Sequence, residues 1–121
     1  AYCCFATNAK DFARMGKLYK DYGDWNGTQL LDSAFIAMST RPRFEESPEY
    51  GYGWWLTNYQ GEDGFAMRGH LGLYIIAFPA SDLIIVRLGH MKGPKLNRFG
   101  SQPFHDYIQE GFEMMNNASQ P

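Results

Sequence analysis

The apolar positions of this chain change period once along its length. Phe12, Met15, Leu18, Tyr19 and Tyr22 recur every three or four residues, the spacing of one helix face. Thr7 and Asn8 precede them, and Asn8 with Asp11 has capping-box spacing with Asp in place of Glu. Gly23 fits the position just past the helix end, and Asp24-Trp25-Asn26-Gly27 reads as a turn. A second helix start sits at Asp32 or Ser33, with Leu31 and Ile36 at staple spacing. Ala34 to Met38 makes it short and apolar, and Arg41-Pro42-Arg43 stops it, because proline and the residue before it disfavour helical geometry. Phe44 to Glu49 is an acidic loop.

From Tyr50 onward the period is two. Tyr50, Tyr52, Trp54 and Leu56 alternate and predict a strand. Gln60-Gly61-Glu62-Asp63-Gly64 predicts a hairpin loop, with strands over Phe65–Gly69 and Leu73–Phe78 joined by a short turn. Pro79-Ala80-Ser81-Asp82 is a second turn, and Leu83–Leu88 the next strand. Connections this short favour an antiparallel meander. His90 to Pro103 is a loop rich in Gly, Pro, Lys and Asn. Phe104, Tyr107, Ile108, Phe112 and Met115 then mark a final amphipathic helix, beyond which the end should fray. The predicted fold class is α+β: a helical part over 7–42, an antiparallel meander of three to four strands over 50–89, and a carboxy-terminal helix over 103–116.

Composition narrows the function classes. A chain of 121 residues is one domain or less, and an aromatic content of 17% suffices to fill a core. A net charge of −2 gives no electrostatic case for nucleic acid or an anionic membrane. The longest apolar run, Leu73 to Phe78, is strand-sized, so no membrane span is expected. No leader is visible, and the chain opens on Ala1 rather than Met, as a processed or excised product would. Cys3 and Cys4 are adjacent and poorly placed to bridge each other. The second half of a zinc-type pair is missing, so they read as small buried hydrophobes and leave the redox compartment undecided.

Acyl transfer needs a nucleophile, a base and donors aimed at the developing oxyanion. None of the serines stands in a Gly-x-Ser-x-Gly or Ser-x-x-Lys context; a Ser-His-Asp triad could assemble from distant residues on any fold, but nothing singles one out, so no complete catalytic set is assigned. His70-Leu71-Gly72 sits instead at the turn between two strands, where a polar side chain and free backbone N–H groups can face a ligand. Taken alone, a histidine in a hairpin turn is more commonly a solvated or structural residue. Arg68 could bind a carboxylate bidentately or stand solvated on an alternating strand. Tyr52, Trp54 and Trp55 could wall an acyl pocket, although core packing is the commoner task for such residues. His90 and His105 lack ligand-spaced partners, so no metal is assigned, and no cofactor is expected. Tyr50-Gly51-Tyr52-Gly53 lacks the spacing of phosphate-binding or dinucleotide-binding loops.

Four segments together resemble the carboxy-terminal part of penicillin-recognising serine hydrolases, in the branch of class C β-lactamases, esterases and 6-aminohexanoate-dimer hydrolases. They are Asp11-Phe12-Ala13-Arg14-Met15-Gly16, Gly23 to Leu31, Tyr50-Gly51-Tyr52-Gly53-Trp54-Trp55, and the Gly64–Pro79 strand pair with its His-x-Gly turn. The likeness runs from about Ala6 to Gly89, and the order and spacing of the segments carry it. It implies a partial β-lactamase/transpeptidase-like fold, in which the whole sheet takes strands from both chain ends and has helices on one face. It implies a parent serine hydrolase acting on a small-molecule amide or ester, with the nucleophile and second-motif tyrosine before Ala1. His70, Leu71, Gly72, Arg68 and Leu73 would then line the pocket, a backbone N–H within Leu71–Leu73 would complete the oxyanion hole, and the chain alone would be inactive. Leu71 lacks the hydroxyl of the Lys-Thr-Gly motif, which argues against direct β-lactam carboxylate binding, and Leu73 stands where relatives often carry Gln. The resemblance also implies a bacterial periplasm or cell envelope, and a strand edge left open to self-association. The alternatives are a stand-alone binding module that keeps the pocket strand and a plain α+β interaction domain. An upstream reading frame with Ser-x-x-Lys separates the first reading from these two.

Overall fold

A computed structural model describes residues 6–89, 95–97 and 100–119; for 95–97 and 100 the description is of the backbone. Cys3, Cys4 and His90 lie outside the described residues. The first helix, α1, spans Ala9–Lys20. The Asn8 side chain accepts from the Asp11 N–H at 3.0 Å, and the Thr7 hydroxyl donates to Asp11 Oδ2 at 2.6 Å. Helix α1 ends where Tyr22 (φ 52) and Gly23 (φ 86) turn left-handed, and the Gly23 N–H returns to the Leu18 carbonyl at 2.8 Å. Its buried stripe is Phe12 and Gly16, continued by Tyr19 against the core, while Met15 and Tyr22 are exposed. Gly16 is the reason. A Cβ there would lie 3.1 Å from Ile75 and 3.2 Å from Ile84, so a glycine brings the helix close onto the sheet.

Two-residue strands β1 (Asp24–Trp25) and β2 (Thr28–Gln29) follow. The predicted turn is the loop of this small hairpin: Asn26 (φ 53) and Gly27 (φ 86) are both left-handed, as a type I′ turn requires. Helix α2 spans Ser33–Ser39 and is capped by Asp32, which accepts from the Phe35 N–H at 2.9 Å. Ile36 is its fully buried anchor.

The main sheet has the order β3-β4-β5-β6, all antiparallel: Trp55–Tyr59, Glu62–Arg68, Tyr74–Phe78 and Leu83–Arg87. The meander is thus four strands, with two differences from the pattern-based boundaries. Tyr50 to Trp54 is not strand. Gly53 is left-handed (φ 81), and the Tyr52 N–H bonds to the Ser39 carbonyl at 2.9 Å, tying this loop to the end of α2. Residues 62–64 belong to β4, because Gln60 (φ 52) and Gly61 (φ 89) close the β3–β4 hairpin in two residues.

Strand β5 is buried at every position, so both faces of the sheet need cover. On one face Tyr74, Ile76, Phe78 and Ala66 pack with Phe104 and Ile108 of α3 (Gln102–Ala118); on the other, Phe65 and Ala77 pack with Trp54, and Gly16 of α1 approaches Ile75 and Ile84. The helices therefore lie on both faces, not on one. Within the stretch expected to be loop, short strands β7 (Lys95–Asn97) and β8 (Gly100–Ser101) pair before α3 begins at Gln102. Among the described residues, no strand pairs along the outer edge of β3 or β6.

Candidate functional site

The segment His70-Leu71-Gly72 is held at the closed end of two paired strands. Arg68 of β4 faces Tyr74 of β5 across the ladder, and the Gly69 N–H donates to the Leu73 carbonyl at 2.7 Å. Within that closure, residues His70–Gly72 form a tight turn that departs from 3₁₀ geometry at Leu71. Its first N–H groups have no acceptor inside such a turn, and its last carbonyls have no donor. Leu71 is left-handed at φ 59, ψ 24, followed by Gly72 at φ 81. A leucine in that region costs on the order of 1 kcal/mol, which the surrounding contacts must offset. His70 and Leu71 are exposed, Gly72 is buried and Leu73 half-buried. The turn thus presents the imidazole and the Leu71 side chain outward.

The carbonyl end of the turn is met by a residue that motif reading passed over. Arg87, at the end of β6, donates from Nη1 to the Gly72 carbonyl at 2.6 Å and to the Leu71 carbonyl at 3.3 Å. Its guanidinium lies 5.4 Å from the Tyr107 ring centroid on α3 and 6.0 Å from that of Tyr74, its cross-strand partner. A Cβ at Gly89 would fall 1.9 Å from Arg87 Nη1, so a side chain there would displace the guanidinium from this position.

Arg68 packs toward α3. Its guanidinium sits 4.5 Å from the Trp55 ring and 5.3 Å from the Phe104 ring, half-buried between them. Burial pushes its pKa down, weakly opposed by Tyr74. Of the three aromatics proposed as pocket wall, Trp54 is core, flanked by Tyr19 at 4.6 Å and Phe65 at 4.8 Å. Trp55 packs against Tyr50 and Arg68, and Tyr52 is exposed beneath Arg43.

Three cavities formed by described residues lie elsewhere, and His70, Leu71, Gly72, Arg68 and Leu73 line none of these three. The largest of these three, about 810 Å³, is at the opposite end of β4 and β5, between Tyr19 and Tyr22 of the α1 segment and the Gln60–Phe65 hairpin. One of about 460 Å³ is walled by Phe44, Tyr50 and Trp55 with Glu46 and Glu49. One of about 370 Å³ brings Glu49, Thr57, Asn58 and Asp63 to His105. His105 Nε2 is buried there and meets no hydrogen-bond partner among the described residues. Burial pushes the His105 pKa down, the Arg68 cation pushes it further, and Asp106 opposes both. No group of three metal-ligating side chains occurs among the described residues, and no helix among them is long and apolar enough to cross a membrane.

Neither a protein-family model nor a curated protein matches the chain. Solved structures do. One is a Bacillus anthracis protein provisionally named a 6-aminohexanoate-dimer hydrolase, similar at 23% identity with a TM-score of 0.62. The match covers 91% of this chain and 29% of that one, so the chain spans less than a third of the relative's length. At that identity the likeness is one of fold. The chain is α+β and carries part of a β-lactamase-like fold.

Proposed function

We propose that residues 1–121 are the carboxy-terminal part of a β-lactamase-related serine hydrolase that cleaves a small-molecule amide or ester, and that this part supplies the pocket strand without the nucleophile. The observation that carries the reading is the His70–Gly72 turn. It closes paired strands β4 and β5, and it turns an exposed imidazole outward beside a left-handed Leu71. The fold likeness to a protein named for 6-aminohexanoate-dimer hydrolysis supports the same class of substrate. In the reaction, a serine from the missing region attacks the carbonyl and a lysine/tyrosine pair moves its proton. A backbone N–H within Leu71–Leu73 lies at the developing oxyanion, and His70 with Leu71, Gly72 and Leu73 walls the acyl side. Arg68, half-buried against Trp55 and Phe104, stands at the strand end beside that wall. A periplasmic or envelope location in a bacterium goes with this reading.

The test is activity by parts. Purified chain should release no chromophore from p-nitrophenyl acetate or nitrocefin. Joined to its upstream segment, it should hydrolyse an ester or linear amide, and that segment should contain Ser-x-x-Lys. His70→Ala in the joined protein should lower kcat/KM by roughly ten- to a hundredfold. Burst release by the chain alone, or an upstream frame without the motif, overturns the proposal in favour of a binding or interaction domain.

A further inference from the structure

We propose that Arg87 is the positioning residue of the pocket turn, its Nη1 holding the last two turn carbonyls so that the peptides from Leu71 to Leu73 keep one orientation. The inference rests on the reading of that turn as pocket wall. Three features give Arg87 this task. The carbonyls that end so tight a turn have no partner within it, and an arginine is well suited to supply one. The peptide unit is planar, and the described residues hold no cis bond, so fixing a carbonyl fixes the N–H of the next residue. Arg87 is itself confined: it stands opposite Tyr74 in the β5–β6 ladder and lies over Tyr107 of α3. The turn therefore takes its orientation from β6 and α3 as well as from β4 and β5. A lysine keeps the charge and a donor nitrogen, but it loses the guanidinium plane that lies over Tyr107 and near Tyr74 and so holds the two carbonyls less firmly.

Amide exchange and ligand titration by NMR on the full 121-residue chain test this. R87M should speed exchange at Gly72 and Leu73 by about tenfold or more, the scale set by loss of a charge-assisted hydrogen bond. R87K should fall between R87M and the parent. The probe 6-acetamidohexanamide, a small linear diamide, should shift the His70 and Leu71 resonances of the parent chain. R87M should weaken that response about tenfold while R87K restores most of it, with the melting temperatures of R87K and the parent alike. Unchanged exchange in R87M overturns the role of Arg87. Turn resonances of the parent chain that ignore the diamide overturn the pocket reading, and the exchange data then report on Arg87 separately. Should R87M fail to fold, R87Q and R87K carry the same comparison.

Discussion

The Tyr74 hydroxyl lies 3.0 Å from Ser101 Oγ in a buried contact that joins β5 to the start of α3. Ser101 also caps that helix, accepting from the Phe104 N–H at 3.4 Å, and the Phe104 ring packs edge-on to Tyr74 at 5.2 Å. One serine thus starts the helix and registers it on the strand that follows the candidate turn. Tyr74→Phe should cost about 1 kcal/mol, the net value of one neutral hydrogen bond. Ser101→Ala should cost more, about 2–3 kcal/mol, because it removes the cap and leaves the tyrosine hydroxyl buried without its partner. Urea unfolding of the two variants checks the order; equal losses would show that Ser101 contributes nothing as a cap.

Two glycines mark close approaches that substitution should break. A Cβ on Gly51 would stand 2.0 Å from the Ser39 carbonyl, and one on Gly64 would stand 2.7 Å from the Phe78 ring and 2.9 Å from the Ala77 carbonyl. In each case backbone must move. Gly51→Ala and Gly64→Ala should each destabilise by about 1–3 kcal/mol or more. Gly27→Ala meets open space and suffers only from its left-handed φ, so its loss should be smaller. Thermal melts of the three variants rank them.

These same positions explain what the sequence disclosed and what it hid. Helix α1 was legible because Asn8, Asp11 and Gly23 punctuate it, and the meander because short turns separate apolar runs. The buried stripe of α1 was misread toward Met15 and Tyr22, since a buried Gly16 adds nothing to an apolar pattern. The alternation from Tyr50 to Leu56 imitated a strand, but Gly51 and Gly53 serve a close packing and a left-handed bend. The His70–Gly72 turn could be read from local spacing. Arg87 could not, because its place beside that turn follows from the β5–β6 register, fifteen residues away from the carbonyl it holds. His105 was equally hidden: its cavity is assembled from the 42–49 loop, β3, β4 and α3.

His105 should make stability fall on mild acidification. Burial, then the Arg68 cation, holds its folded pKa below the ordinary 6.5, so the unfolded chain takes up the proton first. Stability is then full above about pH 6.5 and declines as the pH falls from there toward the folded value. His105→Gln should flatten that window in urea titrations run at a series of pH values. Arg68→Met should raise the His105 pKa, read from its imidazole proton shifts, because one of the two depressing causes is gone. An unmoved pKa in R68M would remove Arg68 from the account.

Lys20 and Asp21 should act in the opposite direction at the two ends of the pH scale. Lys20 pairs with Asp21 and Asp82, tying α1 to the turn before β6. Burial opposes both charges, yet the hydrogen bonds outweigh it, leaving Lys20 raised and Asp21 lowered. The raised lysine contributes stability below its ordinary 10.5 that is lost as pH climbs through its folded value. The lowered aspartate contributes above its ordinary 3.8 and is lost as pH falls through its folded value. Asp82 is exposed, so its pair should be worth well under 1 kcal/mol and shrink with salt. Lys20→Met should remove the alkaline loss and the salt dependence together. A variant that keeps both would assign them to another group.

The outer edge of β6 carries the last prediction. Leu83, Ile84, Ile85 and Val86 are all half-buried, and no described strand pairs beyond them. An apolar edge strand of this kind offers unpaired N–H and carbonyl groups to another chain. The isolated chain should therefore self-associate, with β6 edges pairing between copies. Sedimentation should show a concentration-dependent dimer or larger species, and Val86→Lys, a charge placed on the edge strand, should shift the equilibrium toward monomer. The same substitution on the other edge, Asn58→Lys on β3, should leave association unchanged if β6 is the contact. A well-folded monomer at high concentration would refute the edge as a pairing surface; association weakened only by N58K would move it to β3.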